Sequence, residues 1–167
     1  NKIELEEIGL ILNDHNSNKI SSSAIRENLK SGKFELANKD LERNFSVAGK
    51  VIKGDQRGRT IGIPTANLEY PLNTITIPYG VYAVETLIEG NTYFGIVNFG
   101  IRPTFNKDKP IVEAYLFDFD NDIYGKNIEI LFHKQIRQEK KFNDIKELLN
   151  QINIDIAEAK KILKYGN

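Results

Sequence analysis

The spacing of hydrophobic residues changes twice along the chain, and the changes mark out three regions. In residues 1–44 the stretch Ile3 to Leu12 alternates and reads as one strand. Ser21-Ser22-Ser23 then precedes Ile25 and Leu29 at i, i+4, with Gly32 as a stop, which predicts a short capped helix. Phe34 to Leu41 reads as a second helical piece. From Phe45 to about Phe132 the period is two, with turn residues every ten or so positions. The predicted strands are Phe45–Lys53, Ile63–Leu68, Gly80–Ile88, Thr92–Phe99, Ile111–Phe119 and Asn127–Phe132. Glu89-Gly90-Asn91 is a good hairpin turn, and Asp120-Asn121-Asp122 is another candidate. Beyond Asn143 the period is helical again: Ile145, Leu148, Leu149, Ile152, Ile156, Ala159, Ile162 and Leu163 form one apolar stripe, capped by Asn143 or Asp144. Six short strands and a closing helix predict a small antiparallel barrel with the helix packed on it.

Composition narrows the chemistry. The 167 residues carry 23 basic and 23 acidic side chains, so the formal charge is 23 − 23 = 0, which argues against a surface built to neutralise nucleic-acid phosphates. With 40% hydrophobic and 28% charged residues this is a folded chain, long enough for its own core. The absence of Cys removes disulfides, thiolate zinc sites and cysteine nucleophiles, and two His make a His-rich metal site a poor expectation. No apolar run reaches the roughly 18 residues of a membrane span, and the acidic start lacks a signal peptide's basic region. A reducing, cytoplasmic compartment is the expectation. The chain opens on Asn and contains no Met, and reads as an excised piece of a longer protein.

The densest information lies in Gly54 to Asn67, where Gly54, Gly58 and Gly62 stand four apart with Arg57 and Arg59 between them. Glycines let backbone N–H groups approach an anion and form a nest that favours phosphate. The loop joins two strands and so is neither a Walker loop nor a dinucleotide fingerprint, both of which open a helix. Alone, it reads as a mobile hairpin loop with solvated arginines. Pro64 belongs at a strand start, and after it Thr65 and Asn67 point to one side. Their hydroxyl and amide oxygens suit Mg²⁺ as hard ligands; satisfying turn backbone is the competing reading.

Glu113 is the second feature. Period two sets it in a row with Ile111, Tyr115 and Phe117, opposite Val112, Ala114 and Leu116, so one carboxylate is embedded in an apolar strand. Burial raises a carboxyl pKa, which suits acid–base work; an edge-strand Glu reaching solvent or a lysine is the commoner alternative. His15 and His133 lack a hydrolase partner pattern, and Lys134–Lys141 reads as a solvated loop. Phe94, Phe99, Phe105, Tyr115 and Phe117 read as core aromatics.

Together these residues resemble a known family. Gly54, followed after three residues by the run Gly58-Arg59-Thr60-Ile61-Gly62-Ile63-Pro64-Thr65-Ala66-Asn67, is similar to the signature of riboflavin kinases, notably the kinase module of bacterial bifunctional riboflavin kinase/FAD synthetases. Later motifs follow in order: Gly80-Val81-Tyr82-Ala83, Asn98 to Phe105, Val112 to Leu116, Tyr124-Gly125-Lys126, and Ile136-Arg137 with Glu139 and Phe142. The match covers about Phe45 to Leu163. The strand carries Glu113-Ala114-Tyr115 where the family often has Glu-x-His. Ile20 to Arg26 resembles a Ser-rich motif near the end of the family's adenylyltransferase domain, whose upstream histidine motif these residues lack.

The resemblance implies a mainly β fold, a six-stranded antiparallel Greek-key barrel with a C-terminal helix. It divides the chain into residues 1–44, a short α/β adenylyltransferase remnant plus linker, and residues 45–167, the kinase domain. The implied reaction is ATP- and Mg²⁺-dependent phosphorylation of the riboflavin 5′-hydroxyl to FMN and ADP. Gly54, Gly58, Arg59 and Gly62 would hold nucleotide phosphates, Thr65 and Asn67 the metal, Glu113 would be the catalytic base, and Arg137 and Lys140 would contact flavin. The implied partners are those substrates and an N-terminal adenylyltransferase domain, with no nucleic acid or membrane. The alternatives are a flavin-binding barrel without chemistry, or part of a complete bifunctional enzyme.

Overall fold

The computed structural model describes residues 20–54, 56–71, 73–102 and 109–166. The predicted strand Ile3–Leu12, His15 and the Pro103–Phe105 part of the motif lie outside the described residues. The chain runs α1 (Ser22–Lys30), α2 (Phe34–Leu41), β1 (Phe45–Ile52), a single helical turn α3 (Arg57–Thr60), β2 (Ala66–Glu69), β3 (Gly80–Ile88), β4 (Asn91–Arg102), β5 (Lys109–Leu116), β6 (Asn127–Gln138) and α4 (Ile145–Ile162). The strands close into a barrel in the order β1-β2-β5-β4-β3-β6, every pairing antiparallel. The sub-order β6-β3-β4-β5 is a Greek key: three hairpin-linked strands with the next returning beside the first.

Local chemistry accounts for the elements. Ser21 caps α1, its Oγ accepting from Ala24 N at 3.2 Å. Asp144 caps α4 by accepting from Glu147 N at 2.7 Å, and Glu147 reaches back to accept from Asn143 N at 3.1 Å. The β3–β4 hairpin turns on Glu89 and Gly90, at φ 50° and 84°, a two-residue turn whose second position suits glycine. Inside the barrel, Val47, Leu68, Val84, Val97, Val112 and Ile130 form one apolar row per strand, all buried. Phe34 of α2 plugs one end, 0% exposed, with its ring 5.2 Å from Tyr82 and 5.9 Å from Phe132. Asn38 clamps that helix to the barrel, donating to Phe132 O at 2.8 Å and accepting from Phe45 N at 2.8 Å. A second, external cluster packs Ala159 and Leu163 of α4 onto Val81, Ala83, Ile96 and Phe117.

Several boundaries differ from the sequence expectation. The second strand starts at Ala66 rather than Ile63, because Ile63 N donates back to Gly58 O at 2.8 Å and Pro64 has no N–H for a ladder. The fifth stops at Leu116, since the chain turns at Asp118 (φ 50°); Phe117 lies just past the strand end and stays on the outer face, its ring 6.1 Å from that of Tyr115. Asp120-Asn121-Asp122 lies in the 117–126 connection rather than a tight hairpin, because β5 and β6 do not pair. The sixth strand continues to Gln138, so Lys134 to Gln138 are strand and not a solvated loop. Ile145, expected in the apolar stripe, is 61% exposed at the first turn of α4.

Candidate active site

The outward-facing rows of the barrel meet α4 and the 53–65 loop on one side. Strand register assembles the site there. Asn67 on β2 pairs with Glu113 on β5, which pairs with Asn98 on β4; Asn98 pairs with Val81 on β3, and Val81 with Arg137 on β6. Directly opposed residues in antiparallel strands share a face, so these five form one line across five strands. With neighbouring strands about 4.8 Å apart, Asn67 is the immediate neighbour of Glu113. Arg137 stands three strands away from Glu113, about 14 Å along the sheet.

Above this line lies a cleft of about 930 Å³ whose lining includes Thr65, Asn67, Asn98, Glu113, Arg137 and Lys140. A smaller pocket of about 200 Å³ opens on the other side of the loop, lined among others by Arg59, Thr65, Phe119, Asp122 and Tyr124. Thr65 lines both. The two spaces therefore share Thr65, the residue that precedes β2.

The loop is folded rather than open. Gln56 takes a left-handed conformation (φ 56°) and starts α3, which differs from the mobile hairpin loop that the residues alone suggest. Two of its glycines are demanded by close approach. A Cβ on Gly54 would stand 2.6 Å from Asn67 Nδ2, and one on Gly58 would collide with the Ile63 carbonyl oxygen. Gly54, Gly58, Thr65 and Asn67 are thus brought together. Gly62 is not: it has no neighbour within 4 Å of a would-be Cβ and is set by its φ of 79°. Arg59 is exposed at the rim of the smaller pocket. Asn67 is 4% exposed and donates from Nδ2 to Thr65 O at 3.4 Å. Glu113 is half-buried at the cleft floor rather than embedded, because its row faces outward while Val112, Ala114 and Leu116 fill the barrel.

The far end of the cleft holds groups that the pattern of residues did not flag. Arg137 is gripped by Asp155 of α4, with Nε to Oδ1 and Oδ2 at 3.0 and 2.9 Å and a second nitrogen to Oδ2 at 2.8 Å. Arg137 also stands over the Phe142 ring at 5.6 Å. Lys140 shares that ring at 5.3 Å and pairs with Glu147 at 3.2 Å. The Asn143 backbone N–H, helped by Lys140, holds the Glu147 carboxyl below its ordinary range. Asp155 carried a readable signal: it is a charge set between Ile152, Ile156 and Ala159 on the apolar face. Asn98 opens one of the motifs that carry the resemblance, with no role assigned to it there. Among the described residues no three His, Cys, Asp or Glu side chains cluster as a metal site, and no helix is long and apolar enough to cross a membrane.

Comparison with known proteins follows the same outline. The riboflavin kinase (Flavokinase) family matches residues 41–163. A bifunctional riboflavin kinase/FMN adenylyltransferase of Bacillus subtilis is 49% identical over 144 residues, covering 84% of this chain and 46% of that protein. The chain thus spans about half the length of the curated relatives it matches. A solved Streptococcus pneumoniae chain described as a macrolide-efflux protein aligns at TM-score 0.83 and 32% identity, covering 92% of this chain and 50% of that one. A riboflavin kinase of Trypanosoma brucei aligns at TM-score 0.51 and 21% identity, covering 72% and 80%, a likeness of fold.

Proposed function

Since the chain belongs to the riboflavin kinase family, we propose that it transfers the γ-phosphoryl group of ATP to the riboflavin 5′-hydroxyl, giving FMN and ADP. The observation that carries this reading is the meeting of the two clefts at Thr65. A nucleotide in the smaller pocket, with its phosphates over the 53–65 loop, and a flavin in the larger cleft would present γ-phosphorus and hydroxyl to each other beside Glu113. Phosphoryl transfer asks chiefly for such positioning and for charge stabilisation.

In this reading Gly54 and Gly58 let the phosphate chain and the Asn67 amide approach the loop backbone, Gly62 shapes the loop's exit, and Arg59 adds positive charge at the rim. The oxygens of Thr65 and Asn67 would hold Mg²⁺. Their hardness and their shared side suit an ion held partly by substrate phosphates. When bound, Mg²⁺ supplies charge neutralisation on the transferring group. Glu113 accepts the hydroxyl proton as the oxygen bonds to phosphorus and the bond to ADP breaks. Arg137 and Lys140 border the flavin ring at the opposite end, three strands from Glu113. Within a longer bifunctional protein, residues 45–167 would be the kinase domain and residues 1–44 the tail of an adenylyltransferase domain with its linker, in a cytoplasmic setting.

The test is the metal dependence of FMN formation by the purified chain. FMN should appear only with Mg²⁺ present. Asn67→Ala should require more Mg²⁺ for half-maximal rate while its riboflavin dissociation constant, read by flavin fluorescence, stays parental. Equal loss of flavin affinity would give Asn67 a structural role instead, and undiminished FMN formation in EDTA would remove the metal from the scheme.

A further inference from the structure

Asp155 is a buried charge that the proposed reaction leaves without a role. It sits on the inward face of α4 at 1% exposure, yet it also borders the large cleft. A buried carboxylate is costly unless paired and hydrogen-bonded, and here every described partner converges on it. Arg137 contributes Nε and a terminal nitrogen at 2.8–3.0 Å, and Gln151, one turn earlier on α4, donates from Nε2 to Oδ1 at 3.0 Å. The other terminal nitrogen of Arg137 donates to Gln138 O at 3.1 Å. The guanidinium is therefore fixed on its edges by Asp155 and Gln138 and on one face by Phe142.

Gluing α4 to the barrel does not require this arrangement. Ala159 and Leu163 already seal the helix onto Val81, Ala83, Ile96 and Phe117, and apolar residues replace a buried ion pair at little or no loss of stability. What a bidentate carboxylate adds is direction: it fixes a planar group in one orientation. Arg137 is also the end of the cross-strand line that begins at Asn67 and Glu113.

We infer that Asp155 is a positioning residue, which holds the Arg137 guanidinium flat and oriented at the ring end of the cleft so that flavin affinity depends on Asp155 through Arg137. This rests on the riboflavin reading above.

Steady-state kinetics and riboflavin fluorescence titrations of Asp155→Asn, Arg137→Gln and the double variant, with melting temperatures alongside, test it. Asp155→Asn should raise the riboflavin KM and Kd about tenfold, within the range of coupled neighbours, and leave the MgATP KM within about twofold of the parent value. In the Arg137→Gln background the same change should add nothing, because its effect runs through the arginine. Additive effects in the double variant overturn the inference, as does a Asp155→Asn chain whose two KM values rise together while its melting temperature falls. If Asp155→Asn does not fold, Gln151→Ala decides: a raised riboflavin KM at parental MgATP KM supports the inference, and two parental KM values overturn it. A parent chain that forms no FMN removes the riboflavin reading and this inference together. A parent that forms FMN beside an unaffected Asp155→Asn removes this inference alone.

Discussion

Replacing Gly54 by alanine perturbs the site by one methyl group whose consequences follow from distances. Gly54 does not occupy the left-handed region, so its backbone accepts alanine without strain. The new Cβ would stand 2.6 Å from Asn67 Nδ2 and 2.7 Å from both Cγ and Oδ1, whereas ordinary contact begins at 3.4 Å. The amide must retreat by 3.4 − 2.6 = 0.8 Å. Because Cγ is among the crowded atoms and Asn67 is buried, the whole amide group has to turn. The moved group is the proposed metal ligand next to Glu113 in register. A misplacement near 1 Å costs about 10²-fold in rate, or roughly 2.7 kcal/mol of barrier. Turnover of Gly54→Ala should fall by about that factor, with the riboflavin dissociation constant unchanged. Gly62→Ala is the control: it meets no atom within 4 Å but must hold φ at 79°. It should therefore lose about 1–2 kcal/mol of stability and little turnover at saturating substrate. FMN formation by Gly54→Ala at the parental rate and parental Mg²⁺ requirement would refute the reasoning.

Two further substitutions address the base and the barrel plug. Glu113→Gln keeps size but loses proton-accepting ability, so turnover should fall about 10²–10⁴-fold while melting temperature and substrate affinities hold; a parental rate would remove Glu113 from the mechanism. Phe34→Ala deletes a fully buried ring between Tyr82 and Phe132 and should lower the unfolding free energy by about 3–5 kcal/mol. Denaturant titration checks this, and a loss under about 1 kcal/mol would mean that α2 is not integral to the barrel core.

Residue patterning made most of the architecture legible, and particular contacts explain where it stopped. Phe34–Leu41, Glu89-Gly90 and the Asp144 cap were readable because propensity, capping and turn chemistry are local. The far half of β6 was not, for a reason visible in its pairing with β3. The register shifts between Val81 and Tyr82 and again between Ala83 and Val84, so His133 to Gln138 lose strict alternation and resemble a polar loop. In the site, Thr65 and Asn67 were readable from their spacing, and Glu113 from a charge in an apolar strand. That Asn67, Glu113, Asn98 and Arg137 form one line depends on which strands become neighbours in the closed barrel, and no local pattern reports that. The expected burial of Glu113 failed for the same reason, since an apolar row can face a helix-covered cleft as well as a core.

Label transfer tests the central claim most directly. The purified chain, given riboflavin and Mg²⁺ with ATP labelled in its γ-phosphate, is quenched over time and its flavins are separated by chromatography. The account predicts labelled FMN formed in step with ADP, and no FAD. Riboflavin bound by the chain but recovered unlabelled and unchanged, with ATP intact, would contradict it and leave a flavin-binding barrel without the chemistry.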